Sequence, residues 1–104
     1  MLALARDLGR KDEEGQAYNR LGMAHYRMKK YETALEWLQK FLKMSKETGD
    51  RKEEINACKN IAVTYQALGK PDLARSHFQS ALTIAVETGN KQQQEDIAKD
   101  QASL

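Results

Sequence analysis

The stretch Lys-Glu-Thr-Gly-Asp at 46–50 returns as Val-Glu-Thr-Gly-Asn at 86–90, forty residues later. Gly9 stands at the same place in this period as the glycines of those two stretches. Other residues match at the same offset: Ala17 with Ala57, Leu21 with Ile61, Gly22 with Ala62, Ala34 with Ala74, and Leu42 with Leu82. A fixed period of this size predicts a stacked repeat protein, a class that usually works by presenting a surface.

Length, charge and cysteine content limit the classes of function. A chain of 104 residues forms one domain at most. Its net charge of +2 is too small to argue for nucleic acid or an anionic membrane as partner. The single cysteine excludes an internal disulfide, and this favours a reducing, cytoplasmic location. The first residues are too short and too soon charged for a signal peptide, and no apolar run is long enough to cross a membrane.

The spacing of apolar residues is helical throughout, with intervals of three and four. Gly9, Gly49 and Gly89 suit the left-handed residue that ends a helix. Asp50 and Asn90 have the capping spacing that opens the next helix, with Glu53 and Gln93 three residues later. The other turn carries Gly69 and Pro71 in the second repeat, and Lys29-Lys30-Tyr31 in the first.

The predicted helices span 1–8, 12–28, 31–48, 51–68, 71–88 and 91–103. Because the turns are short, neighbouring helices are antiparallel, and the prediction is an all-α row of helical hairpins.

The period also divides the chain. Residues 1–8 align with 41–48 and 81–88, the second half of a helix, so we expect the chain to be a piece of a longer array. The predicted units are the second half of a truncated repeat at 1–10, repeats at 11–50 and 51–90, and a helix at 91–104. This last helix is more polar, with Gln101 where Leu21 and Ile61 stand. It is either a natural cap or a truncated repeat.

The repeated positions match a known signature. The first copy reads Tyr18-x-x-Leu21-Gly22-x-x-His25 and then Ala34-x-x-x-Leu38, and the second reads Cys58-x-x-Ile61-Ala62-x-x-Tyr65 and then Ala74-x-x-x-Phe78. Over nearly its whole length the chain resembles a tetratricopeptide-repeat (TPR) protein. The forty-residue period, which exceeds the usual 34, resembles the repeats of Pins-type G-protein-signalling modulators and, less closely, those of kinesin light chains.

The resemblance implies a right-handed α-solenoid of about two and a half repeats, with the first helix of each hairpin lining a concave face. Residues of those helices that packing does not need are then candidates for binding a peptide. They are Gln16, Asn19, Arg20, Met23, Arg27, Asn56, Lys59, Asn60, Val63 and Gln66, and Asp96, Lys99 and Asp100 hold equivalent places on the last helix. The amides can pair with a peptide backbone and the cations with acidic groups, so we expect an acidic and apolar peptide. Lys59 is followed one turn later by Val63, and Asn19 by Met23, so the carboxylate clamp of chaperone-binding relatives is not predicted.

Residues that suggest catalysis have simpler explanations. His25 stands where Tyr65 stands in the next repeat and is predicted to be a packed core histidine, while His77 aligns with Trp37 and has no metal-ligand partners nearby. Cys58 replaces Tyr18 at a packing position and is predicted to be a buried, unreactive thiol. The pairs at 13–14 and 53–54 place glutamates in the first turn of first helices, where the helix dipole favours them. No catalytic residue, metal or cofactor is predicted.

Three functions stay open at this point. The first is an adaptor that holds a partner peptide in a G-protein, cytoskeletal or ciliary complex, with no enzymatic activity. The second is a purely architectural segment that extends or self-associates through its ends or convex face, since exposed terminal helices could form a homo-oligomer. The third, an enzyme or a regulatory module of one, lacks a nucleophile–base pair in the sequence.

Overall fold

The computed structural model describes the backbone of residues 2–102 and the side chains of residues 10–102. These residues form five helices and no strand: α1 (Leu2–Arg27), α2 (Tyr31–Thr48), α3 (Arg51–Ala67), α4 (Pro71–Thr88) and α5 (Lys91–Ala102). Each helix packs on the next one along the chain, most extensively within the pairs α1–α2 and α3–α4. The predicted all-helical architecture, a TPR-like solenoid of hairpins, is confirmed.

The predicted turn chemistry is present between the second helix of each hairpin and the next hairpin. Gly49 and Gly89 adopt φ angles of 72° and 71°, a left-handed conformation that a glycine reaches without a Cβ clash. The side chains of Asp50 and Asn90 then accept hydrogen bonds of 3.1 Å from the backbone N–H groups of Glu53 and Gln93. Each of these helices therefore ends at a left-handed glycine, and the next residue caps the helix that follows.

The predicted helix end at Gly9 is wrong, because α1 is one continuous helix from Leu2 to Arg27. The predicted helices at 1–8 and 12–28 are joined, and Met1 lies outside the described residues. The physical reason lies in the next residue. Arg10 stands where Asp50 and Asn90 stand in the later copies, and a guanidinium cannot accept a hydrogen bond from the first turn of a new helix.

The core lies between the helices of each hairpin and between neighbouring hairpins. In the first hairpin Ala34, Leu38 and Phe41 of α2 are buried to within 1% exposure. In the second, Ile55, Cys58 and Ala62 of α3 pack with Ala74, Phe78 and Ala81 of α4, and Ile97 of α5 joins the same cluster. Ala34 and Ala74, which match at the forty-residue offset, are both fully buried.

Two pairs of residues that match at the forty-residue offset differ in how deeply they are buried. Ile61 and Ala57 are fully buried on α3, whereas Leu21 is 39% exposed on α1 and Ala17 is exposed as well. The reason is that α3 lies between two helices, while within the described residues α1 packs mainly on α2. His25 was predicted to be a core residue, and this prediction is wrong. It is half-buried, and its Nδ1 lies 2.8 Å from the Leu21 carbonyl oxygen one turn earlier.

Candidate functional site

The predicted groove residues follow one side of each first helix. Gln16, Arg20, Met23 and Arg27 recur at intervals of four, three and four on α1, so they form one stripe at about 100° of rotation per residue. Their counterparts forty residues on are Asn56, Asn60 and Val63 of α3, with Asn19, Lys59 and Gln66 beside these two stripes. We call this surface of α1 and α3 the groove, after the concave face that the family resemblance predicts.

One hydrogen bond joins the two halves of the groove. The Nδ2 of Asn60 donates to the Oδ1 of Asn19 at 2.8 Å, although the two residues are 41 positions apart in the chain. The structure therefore brings the polar sides of α1 and α3 together. The sequence analysis selected both residues but did not predict that they bond to each other.

Exposure divides the candidate residues into two groups. Arg20 and Arg27 of α1 are exposed and mark an open, basic rim. The other eight candidates are half-buried, and Val63 packs against the apolar cluster of the second hairpin. Half-buried amides beside an apolar floor can hydrogen-bond a ligand while excluding part of the water around it. On α5 the equivalent Asp96 and Asp100 are half-buried and Lys99 is exposed.

An aromatic cluster on the other side of the first hairpin is a feature that the sequence analysis missed. The rings of Tyr18 and Trp37 stack with centroids 5.8 Å apart. The Nζ of Lys40 lies 4.6 Å from the Trp37 centroid and 5.9 Å from that of Tyr18. The only sequence signal was the Trp37–Lys40 spacing of one helical turn, since the contact with Tyr18 depends on how α1 and α2 cross.

Cys58 and His77, two residues whose chemistry the sequence analysis considered, are both packed against other side chains. Cys58 is 4% exposed, as predicted, and burial raises the pKa of its thiol from 9.0 to about 11, with the Glu54 carboxylate adding to the rise and Lys46 opposing it. A buried thiol that stays neutral is a poor nucleophile, because the thiolate is the reactive form. The ring of His77 packs against that of Tyr65, with centroids 5.3 Å apart and the ring planes tilted by 39°. Within residues 10–102, no three His, Cys, Asp or Glu side chains are grouped so that they could hold a metal ion.

These features define a class: a helical repeat module with a polar surface on its first helices. A family model for the tetratricopeptide repeat matches residues 2–87. The chain belongs to the tetratricopeptide repeat family, whose repeats are non-enzymatic modules that generally mediate protein–protein interaction. No match was found among curated proteins. In the part of the chain that the structure describes, none of the helices has the length and apolar character needed to span a membrane.

Proposed function

We propose that this chain is a non-enzymatic interaction module that binds a peptide of a partner protein, extended or helical, in the groove of α1 and α3. The observation that supports this most directly is the Asn60–Asn19 hydrogen bond, which sets two polar stripes side by side. Such a surface offers amide donors and acceptors to a peptide backbone at a regular spacing. The chain would act by holding its partner within a larger assembly.

The charges of the groove support an acidic ligand. Arg20 and Arg27 are exposed on α1, and the half-buried Lys59 lies on α3. A carboxylate held by a guanidinium at a partly desolvated site forms a stronger hydrogen bond than a neutral pair does. Met23 and Val63 add apolar surface between these cations. The ligand would therefore be a peptide that combines acidic and apolar residues.

The cellular setting follows from the resemblance of the forty-residue repeats to those of Pins-type modulators and kinesin light chains. By that analogy the partner belongs to a G-protein, cytoskeletal or ciliary complex in the cytoplasm. The lack of a Lys–Asn pair one turn apart in the groove argues against a chaperone tail as the ligand.

The test is a quantitative pull-down with two matched variants. Arg20→Glu with Lys59→Glu reverses two groove charges, while Lys43→Glu with Arg75→Glu makes the same change in net charge on the second helices α2 and α4. We expect partners to be lost from the groove variant and kept by the control. Equal recovery by both variants would contradict the groove proposal.

The second candidate function is architectural, and one observation favours it. Leu21 is 39% and Met28 is 55% exposed, and the two side chains lie on the same side of α1. This surface lies on a different side of α1 from Gln16 and Met23, so self-association through it and peptide binding in the groove are compatible.

A further inference from the structure

The last described helix, α5, has the register of a first helix. Asn90 caps α5 as Asp50 caps α3, each accepting a hydrogen bond of 3.1 Å from a backbone N–H three residues later. Ile97 of α5 is fully buried in the core cluster of the second hairpin, and Ala57 of α3 is fully buried at the same place in the repeat. Each of these two helices packs on the second helix that precedes it. Positions on α5 can therefore be compared directly with those on α3 and α1.

This register puts two carboxylates on the groove side of α5. Asp96 stands where α3 has Asn56, and Asp100 stands where α3 has Asn60. Both aspartates are half-buried, as the two asparagines are. Since α3 has helices packed on both of its sides, α2 and α4, packing between hairpins leaves this side of a first helix partly open. The groove side of α5 is therefore acidic.

The charge at one repeated position changes sign across the three helices. Arg20 on α1 corresponds to Asn60 on α3 and to Asp100 on α5. One turn earlier, the same three helices carry glutamine, asparagine and aspartate. A ligand that crosses these helices consequently meets a cation on α1, amides on α3 and carboxylates on α5.

The lysines beside these positions reduce the difference but do not reverse it. Lys59 adds one cation to α3, and the exposed Lys99 adds one to α5. The groove residues of α1 include two cations, Arg20 and Arg27, whereas on α5 two carboxylates outnumber one cation. The formal charge of the groove residues therefore falls from α1 through α3 to α5.

This order of charge is confined to the middle of the groove. In the turn before Gln16, the three helices carry Asp12, Lys52 and Gln92 at the repeated position. There the negative charge lies on α1 and the positive charge on α3, which differs from the order in the middle. This turn provides a control on the same side of the same helices.

We propose that the groove continues onto α5 and selects a peptide with one acidic and one basic end, held in a single direction. The acidic end lies on α1 at Arg20, and the basic end lies on α5 at Asp96. In this direction both ends meet opposite charges, while the reversed peptide brings like charges together. The inference rests on the proposed function and adds the charge pattern and the direction of its ligand.

The first test compares synthetic peptides of equal length with the same apolar centre. Two have ends of one sign, both acidic or both basic. The mixed peptide has one end of each sign and is made in both sequence orders, since charge alone does not set the direction of the peptide backbone. Isothermal titration calorimetry with the full chain at low ionic strength limits screening. We expect the better mixed peptide to bind at least about threefold more tightly than either uniform one.

The second test measures the direction. A nitroxide label on the acidic end of the mixed peptide should broaden the side-chain amide resonances of Gln16 and Asn19. A label on the basic end should broaden that of Gln92, whose Nε2 lies 3.2 Å from Asp96 Oδ1. Arg20→Asp with Asp96→Arg exchanges the two charges at constant net charge and should reverse this pattern.

The matched control is Asp12→Arg with Lys52→Asp, which exchanges two charges in the neighbouring turn. It should leave the direction unchanged. Circular dichroism must show that each variant is folded. Where the exchange at Arg20 and Asp96 unfolds the chain, Arg20→Asn with Asp96→Asn replaces it, and each label should then broaden both groups of amides.

Two results would overturn the direction and leave peptide binding in the groove intact. One is a peptide with two acidic ends that binds as tightly as the mixed one. The other is a broadening pattern that the exchange at Arg20 and Asp96 leaves unchanged. A third result, in which no peptide binds or shifts the groove amides, would contradict the proposed function and this inference together.

Discussion

Asn60 on α3 donates a hydrogen bond of 2.8 Å to Asn19 on α1, and this bond links the first helices of consecutive repeats. The direct packing between α1 and α3 is slight, because α2 lies between them along the chain. This hydrogen bond is therefore among the few direct contacts between the two first helices.

We predict that this bond couples the two repeats energetically. Asn19→Ala and Asn60→Ala should each lower the free energy of unfolding by about 1 kcal/mol, since each leaves one amide without its partner. The double variant should lose less than the sum of the two, which a double-mutant cycle by urea denaturation measures. Asn56→Ala, on the same side of α3, is the control for the loss of a groove amide. Strict additivity of the two single losses would show that the bond does not contribute.

The two glycines of α1 that lie against α2 should respond in opposite ways to alanine. A Cβ on Gly22 would lie 2.7 Å from Cγ and 2.8 Å from Cδ2 of the fully buried Leu38, so Leu38 or the helix must move. A Cβ on Gly15 would lie 3.5 Å from Met44 Cβ and Phe41 Cδ1, an ordinary contact.

Gly15→Ala is therefore expected to stabilise the fold by up to about 1 kcal/mol, because alanine favours the helix. Gly22→Ala is expected to destabilise it by about 1–3 kcal/mol, since overpacking outweighs the same helical gain. Thermal denaturation of the two variants compares them directly. Stabilisation by both would mean that α1 and α2 can separate at Gly22 without cost.

Replacing Lys29 with glycine should stabilise the fold. Lys29 adopts φ 63° in the turn between α1 and α2, where Gly69 adopts φ 76° in the next repeat. A left-handed conformation costs an ordinary residue roughly 1 kcal/mol, so Lys29→Gly should raise the free energy of unfolding by about that amount. The neighbouring Lys30 has φ −93°, and Lys30→Gly should bring no gain. Chemical denaturation measures the free energy of unfolding of both variants. The same change in Lys29→Gly and Lys30→Gly would show that the left-handed conformation of Lys29 is not the cause.

Cys58 should make stability depend on alkaline pH. Its pKa is raised from 9.0 to about 11 in the folded chain, chiefly by burial. Between these two values the unfolded chain loses the thiol proton and the folded chain retains it. The unfolded state is then favoured as pH rises, by up to about 1.4 kcal/mol per pH unit.

The measurement is the free energy of unfolding from pH 8 to 11 for the wild type and for Cys58→Ala, which removes only this titration. The wild type should lose stability more steeply. Iodoacetamide should also label Cys58 slowly in the folded chain and quickly in denaturant. Parallel pH curves, together with rapid labelling of the folded chain, would contradict a buried neutral thiol.

Local features of the fold could be predicted because their causes are local. Gly49 with Asp50 contains both a left-handed helix end and the cap of the next helix, and the structure has both. Gly9 supplies only the first of these, and without an acceptor at Arg10 the helix continues. A glycine alone is a weaker signal than a glycine followed by a cap.

Features that depend on neighbouring helices could not be predicted. The period equates Leu21 with Ile61, yet burial depends on whether another helix lies against the residue. The Asn19–Asn60 bond and the Tyr18–Trp37 stack depend on the angles between helices, which the apolar spacing does not determine. The groove residues were selected by family resemblance, and their role as a binding surface remains a prediction.

The most direct test of peptide binding in the groove is nuclear magnetic resonance of the labelled chain, titrated with the peptide selected from a random display library. The side-chain amides of Gln16, Asn19, Asn56, Asn60 and Gln66 report from the groove itself, while those of Gln39 and Gln79 report from α2 and α4. We predict that the first group shifts on binding and that Arg20→Glu with Lys59→Glu abolishes these shifts. Shifts confined to Gln39 and Gln79, or no peptide selected above background, would contradict the account.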